Sequence, residues 1–404
     1  MPEYDVIVVG GGPAGATAAR RAAQAGLGVV VLDMAKFPRY KSCAGAIPIE
    51  ARELLDFDIT DILHRNISGL ALFAPQGFRV DCIPEDRSKP GHTVMRSEFD
   101  NLLLRKAVEA GAEVREETKV LNASQNRHAA TIVTEGGEQI SSRFLVGADG
   151  INGVVARKLG FYSGWPSSSA FVAIEIEAEI GESKVREICG EPSGYDADLF
   201  FLYFGHVPHG YIWCFPKHSI LSLGACCRQD KVKGLRKTYD KWFSEFCENY
   251  KITPNILSES GARFPCAVRS PITKGRAILV GDAAGFVDAF TGEGIKYAIH
   301  SGILAAKTLK EALRADDPDL LQQYEKDCKK EIVSVLKVSE YMAGLFYKSQ
   351  KNMQILMRFF KEDNYASYLI AAMIGGLLPA KAVRRKITMR MLRTRPRDAI
   401  SLMI

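Results

Sequence analysis

An α/β fold is predicted, with a Rossmann-like nucleotide-binding domain, an antiparallel β-sheet domain and a helical C-terminal region. Three features of the 404-residue sequence carry this expectation. A strand, glycine loop, helix and second strand follow one another in residues 4–33. Residues 209–227 alternate aromatic side chains as a sheet strand does. From about Glu331 onward the apolar spacing becomes helical.

The first unit reads "YDVIVVGGGPAGATAARRAAQAGLGVVVLD". An apolar strand, Val6–Val9, enters the loop Gly10-Pro13-Ala14-Gly15, with Gly12 between. Gly10 permits the tight turn, Gly12 lets backbone approach a pyrophosphate, and Gly15 lets helix and strand pack closely. The helix N-terminus then aims at the phosphates. Asp33 ends the second strand and is placed to accept hydrogen bonds from a ribose hydroxyl. The motif alone does not choose between NAD and FAD. Two later segments do. "RFLVGADGINGVVARKLG" (143–160) is a strand ending in Asp149-Gly150. "GRAILVGDAAGFVDAFTGEGIKYAIHSG" (275–302) is a strand ending in Gly281-Asp282, then a helix opened by Thr291-Gly292-Glu293-Gly294. A simple NAD domain needs neither.

A chain of this length exceeds one ordinary core, so interlaced domains are expected. They are 1–75, 95–160 and 270–330 for the nucleotide-binding domain, 70–95 and 160–270 for the sheet, and 331–404 for the helices. Composition is globular, 47% hydrophobic and 25% charged. The short apolar run after Met1 is broken by glycines and predicts no secretory leader. Nine cysteines without C-x-x-C spacing predict reduced thiols in a cytoplasmic protein and no metal site. The net charge of +6 is a tail property. From Lys381 the chain holds eight Lys/Arg against one Asp, so the tail carries +7 and the remainder −1. That placement excludes a nucleic-acid reader and points to an anionic surface. The apolar run Tyr368–Ala380 is too short to span a bilayer. With the basic tail it reads as a helix pair that closes a lipid tunnel or rests on a membrane surface, or as a terminal subdomain with a solvated tail.

The glycine loop, the "DG" segment and the "GD" segment together resemble the flavoprotein hydroxylase and reductase superfamily with the p-hydroxybenzoate-hydroxylase fold. The resemblance implies FAD. It implies that Asp282 binds the ribityl chain and that the Gly292–Ile295 backbone, with Gly294, meets the reactive edge of the flavin. Arg96, ahead of a helix, matches the family's FAD-contacting arginine, and Val120 matches a backbone contact to adenine. Asp149 and Gly281 belong to the same motifs. One departure is that Gly153 stands where serine is common in the "DG" motif, with the arginine displaced to Arg157.

"HGYIWCFPKHSILSLGACC" narrows the resemblance to the geranylgeranyl reductase family. The expectation is an FAD-dependent reductase that hydrogenates C=C bonds of geranylgeranyl chains on a lipid, chlorophyll precursor or quinone, by hydride transfer from reduced flavin N5 plus a proton. Tyr211, Trp213 and Phe215 would form an apolar substrate wall able to stabilise developing positive charge. By resemblance the loop "PRYKSCAGAI" passes over the flavin, with Ala44 and Ala46 allowing backbone contact and Cys43 bordering the substrate. Cys43 and Tyr211 are the candidate proton donors. Electrons would come from ferredoxin or NAD(P)H, and membrane contact would be peripheral. Two alternatives stay open: a flavin monooxygenase or halogenase acting on a small aromatic, and a non-catalytic flavin-binding membrane adaptor.

Overall fold

The structure is a computed structural model that describes residues 2–75 and 77–403, the side chain of Met403 excepted. Met1, Gln76 and Ile404, which the expected segments include, lie outside the described residues. Two compact units share the chain. The first gathers Met1–Lys41, Arg96–Pro166 and Phe264–Leu336; the second gathers Ser42–Met95, Ser167–Arg263 and Lys337–Ile404.

The first unit is built on an eight-stranded sheet with a parallel spine. Ala277–Leu279, Gln139–Gly147, Tyr4–Val9, Val29–Leu32 and Glu113–Arg115 lie side by side in that order. Val6 stands opposite Phe144 on one side and Val29 on the other. The stretches Val6–Val9, Val29–Leu32 and Phe144–Val146 are continuously apolar and buried, as strands covered on both faces must be. Helix Pro13–Gln24 leaves from the end of Tyr4–Val9, with Pro at a first-turn position where its missing N–H costs nothing. Its buried face is alanine: Ala16, Ala18, Ala19 and Ala22. Small side chains let helix Ile295–Ala315 come so near that a Cβ on Gly302 would meet the Ala14 carbonyl at 2.6 Å. The helix ends at Gly26, whose φ is 85°, with the Leu27 amide donating back to Ala22 O. That is a Schellman stop, which glycine accommodates without a Cβ penalty. The neighbours of Tyr4–Val9 come from residues 29–32 and 139–147, so the strand order reverses there. In open α/β sheets ligands bind at such a switch point.

The second unit holds a nine-stranded sheet. Its order is Asn255–Pro265, Ala170–Glu179, Ile220–Arg228, Gly210–Pro216, Asp198–Phe204, Arg65–Phe73, Gly91–Thr93 and Ala46–Ile47, with Arg79–Cys82 also on Arg65–Phe73. One junction departs from the expected antiparallel pattern. Asp198–Phe204 runs parallel to Arg65–Phe73, with Phe201 opposite Ala71. The two strands come from distant segments, so no hairpin dictates their direction. One sheet face packs on helices Glu182–Cys189 and Leu235–Tyr250. There Ile176, Phe201, Ile212, Cys214 and Leu223 share a core with Val185, Tyr239, Trp242 and Phe246.

The C-terminal region is helical, at Gln350–Glu362, Asn364–Ile374, Ala380–Thr394 and Pro396–Met403. Of the apolar run 368–380, residues 368–374 end one helix, 375–379 form a connection and Ala380 opens the next helix. Asn364–Ile374 stops at Gly375-Gly376, where Gly376 takes a φ of 82° and the Leu377 amide donates to Ala372 O at 2.7 Å. Among the described residues, no helix is long and apolar enough to cross a membrane.

Candidate functional site

In the first unit the glycine loop is shaped by contacts that leave no room for side chains. A Cβ on Gly10 would lie 2.4 Å from the Ala148 carbonyl, and one on Gly15 would lie 1.8 Å from the Gly10 carbonyl. Gly12 is different: the nearest atom to a Cβ there is Arg39 Nη2, at 3.6 Å, so its surface is open. Gly12 is also the N-cap of helix Pro13–Gln24 and brings no capping side chain. The first-turn amides, those of Ala14 and Gly15 among them, are therefore left to a ligand or solvent. An anion is what such a terminus favours.

Asp33 organises the other side of the loop. Its Oδ2 accepts from the Gly11 amide at 2.7 Å and its Oδ1 from the Ala35 amide at 2.9 Å. A carboxylate has about four lone-pair positions, so both oxygens keep acceptor capacity. The Thr118 amide donates to the Asp33 carbonyl at 2.7 Å, which brings strand Val120–Gln125 beside this acid. Arg96 opens helix Arg96–Glu109 and grips Asp100 with two hydrogen bonds of 2.9 Å. Arg39 joins the same carboxylate at 3.2 Å.

Asp149 caps helix Val154–Lys158, its Oδ2 accepting from the Val154 and Val155 amides at 2.6 and 2.9 Å. Its Oδ1 is buried without a hydrogen-bond partner. Burial pushes its pKa up, and the two amides pull it back. The geometry also accounts for Gly153. A Cβ there would lie 2.2 Å from Asp149 Oδ1, so glycine is what lets the carboxylate fold onto the helix end.

The "GD" segment and its helix complete the frame. Gly281, at φ 56°, fits against Ala14, where its Cβ would approach at 2.9 Å. Burial raises the Asp282 pKa, opposed by the positive charges of Lys41 and Arg96. Asp288 Oδ1 accepts from the Phe290 and Thr291 amides, and Gly292 takes a φ of 77°. Helix Ile295–Ala315 then starts from Gly294, and the cap comes from the preceding residue. Glu293 Oε1 accepts from the Lys296 amide at 2.8 Å, while desolvation pushes its carboxyl up to about 7.

Arg39 and Lys41 were not singled out by the sequence reading. The only signal was the basic start of "PRYKSCAGAI". Their positions beside Gly12 and Asp282 depend on a loop returning to the first helix, which no local pattern encodes.

The second unit holds the remaining predicted residues. Period-two alternation puts Tyr211, Trp213 and Phe215 on the sheet face opposite the helix-packed core. They continue a patch from the neighbouring strand: Phe215 stacks on Phe200 at 4.0 Å between centroids, and Tyr211 meets Phe204 edge-on at 6.1 Å. Cys43 is a half-buried free thiol. Its loop turns at Gly45, where a Cβ would meet the Val94 carbonyl at 2.1 Å, and enters Ala46–Ile47. Ala46 pairs with Thr93, whose hydroxyl donates to the Pro216 carbonyl at 2.7 Å. The Cys43 loop is thus tied to the Phe215 end of the aromatic strand. Tyr211 lies four residues further back, roughly 14 Å at strand spacing.

Residues 3–339 match the FAD binding domain family. The chain belongs to that family. The digeranylgeranylglycerophospholipid reductase of Thermoplasma acidophilum is 30% identical, over 81% of this chain and 83% of that one. The crystal structure of a geranylgeranyl bacteriochlorophyll reductase-like protein from the same organism superposes with a TM-score of 0.74. It is 26% identical and covers 89% of this chain and 92% of that one. Halogenase PltM in complex with phloroglucinol and FAD shares the fold, at a TM-score of 0.70 and 17% identity over 99% of this chain and 95% of its own. The protein is an FAD-dependent oxidoreductase, and the expected cofactor and fold class stand. The open Gly12 surface, the start of helix Pro13–Gln24 without a capping side chain and the nearby Arg39 suit a dinucleotide of this kind.

Proposed function

We propose that this FAD-dependent oxidoreductase hydrogenates C=C bonds of a geranylgeranyl chain carried on a lipid. The observation that carries the reading is the aromatic patch Phe200, Phe204, Tyr211, Trp213 and Phe215 on a single sheet face of the second unit. A small polar aromatic would need directed hydrogen bonds there, whereas a polyprenyl chain needs apolar area and shape. The names of the relatives agree with this choice.

Gly12, Ala14 and Gly15 would hold the pyrophosphate through backbone amides, with Arg39 adding positive charge, and Asp33 would take the adenosine ribose. Val120 would supply a backbone contact to adenine. Arg96, Asp149, Gly281, Asp282 and the Gly292–Ile295 turn would take the remainder, with Ala44 and Ala46 leaving space for the ring. Bound and reduced, FAD supplies a hydride. The protein's part is to align the alkene, exclude water and deliver one proton. Cys43 and Tyr211, at opposite ends of the aromatic strand, are the two alternative donors of that proton. Electrons would reach the site from ferredoxin or NAD(P)H. The basic helix Ala380–Thr394 would rest on an anionic membrane surface while the lipid is drawn in.

The test is anaerobic. The holoprotein is reduced with dithionite and mixed with a geranylgeranyl lipid. Reoxidation of the flavin, with two hydrogens gained per double bond by mass spectrometry, is expected. Whichever of Cys43→Ser and Tyr211→Phe removes the donor should slow that step on the order of a hundredfold, as loss of a general acid does, and the other should change it little. An absence of lipid reduction, beside oxygen-dependent turnover of a small aromatic, would refute the reading.

A further inference from the structure

Beside the aromatic patch, on the same sheet face, lies a polar cluster that a sheet core has no need of. Glu175, Ser222 and Lys217 are fully buried, and Glu177 is 2% exposed. They occupy the same sheet face as Trp213. Glu175 stands opposite Gly224, which stands opposite Trp213; one row along, Glu177 stands opposite Ser222, which stands opposite Phe215. Lys217 pairs with Glu177. Trp213 Nε1 donates to Ser222 Oγ at 3.3 Å, and Ser222 Oγ donates to Glu175 Oε1 at 2.6 Å. The direction of this chain is fixed by chemistry. An indole N–H can only donate, so the serine hydroxyl must accept from it and turn its own proton to the carboxyl. Gly224 makes room for the arrangement: a Cβ there would lie 2.1 Å from Trp213 Cζ2, so the indole fills the space a side chain would take. Burying acidic groups in a sheet costs several kcal/mol each before pairing, which apolar residues would avoid.

We infer that Glu175 and Ser222 are positioning residues that act through Trp213. Together they fix its indole and enrich its π-face for a substrate that gains positive charge. The inference rests on the reductase reading above. In that reaction the C=C π bond breaks and two C–H bonds form: one carbon takes a proton, and the other takes the hydride, with its electron pair, from the reduced cofactor. Between the two events the second carbon carries tertiary-cation character. Tryptophan is the aromatic best suited to face such a charge. Hydrogen bonds polarise one another along a chain, so a carboxyl acting through a hydroxyl draws the N–H outward and leaves the ring more electron-rich. The stabilisation appears as the charge develops and is small before, so it belongs in the rate and not in lipid affinity.

The experiment uses the holoprotein with 5-fluorotryptophan incorporated, the Trp213 resonance being assigned with Trp213→Phe. Single-turnover reoxidation by a geranylgeranyl lipid is compared in wild type, Ser222→Thr, Ser222→Val, Ser222→Ala and Glu175→Gln. Threonine keeps the hydroxyl and valine copies its shape without it, so the pair separates hydrogen bonding from packing. The valine, alanine and glutamine variants should lose about tenfold in the reduction rate with little change in the lipid concentration for half-saturation. The Trp213 fluorine signal should shift in all three, and threonine should restore both rate and signal. A wild type that reduces the lipid, beside Ser222→Val and Glu175→Gln variants of unchanged rate, overturns the inference alone. A wild type that leaves every geranylgeranyl lipid unreduced overturns the reductase reading, and this inference with it.

Discussion

At the start of helix Ile295–Ala315, Glu293 keeps its proton to about pH 7, because desolvation outweighs the help of Lys296. In the unfolded chain the same carboxyl ionises near 4.5. Between those values the folded state binds more protons than the unfolded one, so the contribution of Glu293 to stability falls as pH rises through that window. Glu293→Gln removes the titration. The variant should gain stability relative to wild type between about pH 5 and pH 8, read as a smaller fall in Tm across that range. Parallel Tm curves for the two proteins would show that the carboxyl ionises normally. Gly153 is instructive at the same scale. From sequence it is only a departure from the usual serine. In the structure it is what Asp149 folds against, a contact between residues four apart that no pattern of residue types predicts.

The strand–loop–helix element separates two uses of glycine. Gly12 has open space around it and an extended, unremarkable backbone, φ −70°, so an alanine there fits the apo protein. Gly15 has the Gly10 carbonyl where its Cβ would go. Gly12→Ala should leave the apo Tm nearly unchanged and weaken FAD binding by about tenfold or more, because the methyl would stand on the surface proposed for the pyrophosphate. Gly15→Ala should destabilise the apo protein itself, by about 1–3 kcal/mol, since strand and helix must part. Apo melting and FAD titration together check this; equal FAD affinity in Gly12→Ala and wild type would remove the pyrophosphate from that surface. This element was readable because its signals are local: an apolar strand, three glycines at fixed spacing, an alanine helix and a terminal acid. The aromatic strand was readable for the same reason, through its period of two. What lay across strands was not. Glu175, Ser222 and Trp213 are joined only by sheet register, and a one-residue slip would send each to the other face. The parallel junction of Asp198–Phe204 with Arg65–Phe73 is equally invisible, since nothing in either segment records the direction of the other.

Across the whole molecule the charge is unevenly spread, and the helices at the C-terminus decide what that charge can do. Part of the basic tail is spent internally. Arg390 binds Asp363 at 2.5 Å, and Arg395 pairs with Glu362. Lys381, Arg385, Lys386 and Arg393 of helix Ala380–Thr394 are exposed, alongside exposed Met389 and Leu392. Apolar side chains among cations are what the membrane contact proposed above would use, since a helix resting at a lipid interface uses both. Each cation near an anionic surface contributes about 1 kcal/mol, so replacing the four with glutamine should weaken binding to phosphatidylglycerol vesicles by roughly a hundredfold or more. Added salt should act in the same direction on wild type, because the attraction is screened within about 10 Å at 0.1 M. Replacing Met389 and Leu392 with serine should weaken the part of the binding that salt leaves intact. Co-sedimentation at low and high salt reads all three effects. Equal sedimentation of wild type and the four-glutamine variant would leave the tail with no membrane role, and the lipid of the proposed reaction would then have to reach the protein by another surface.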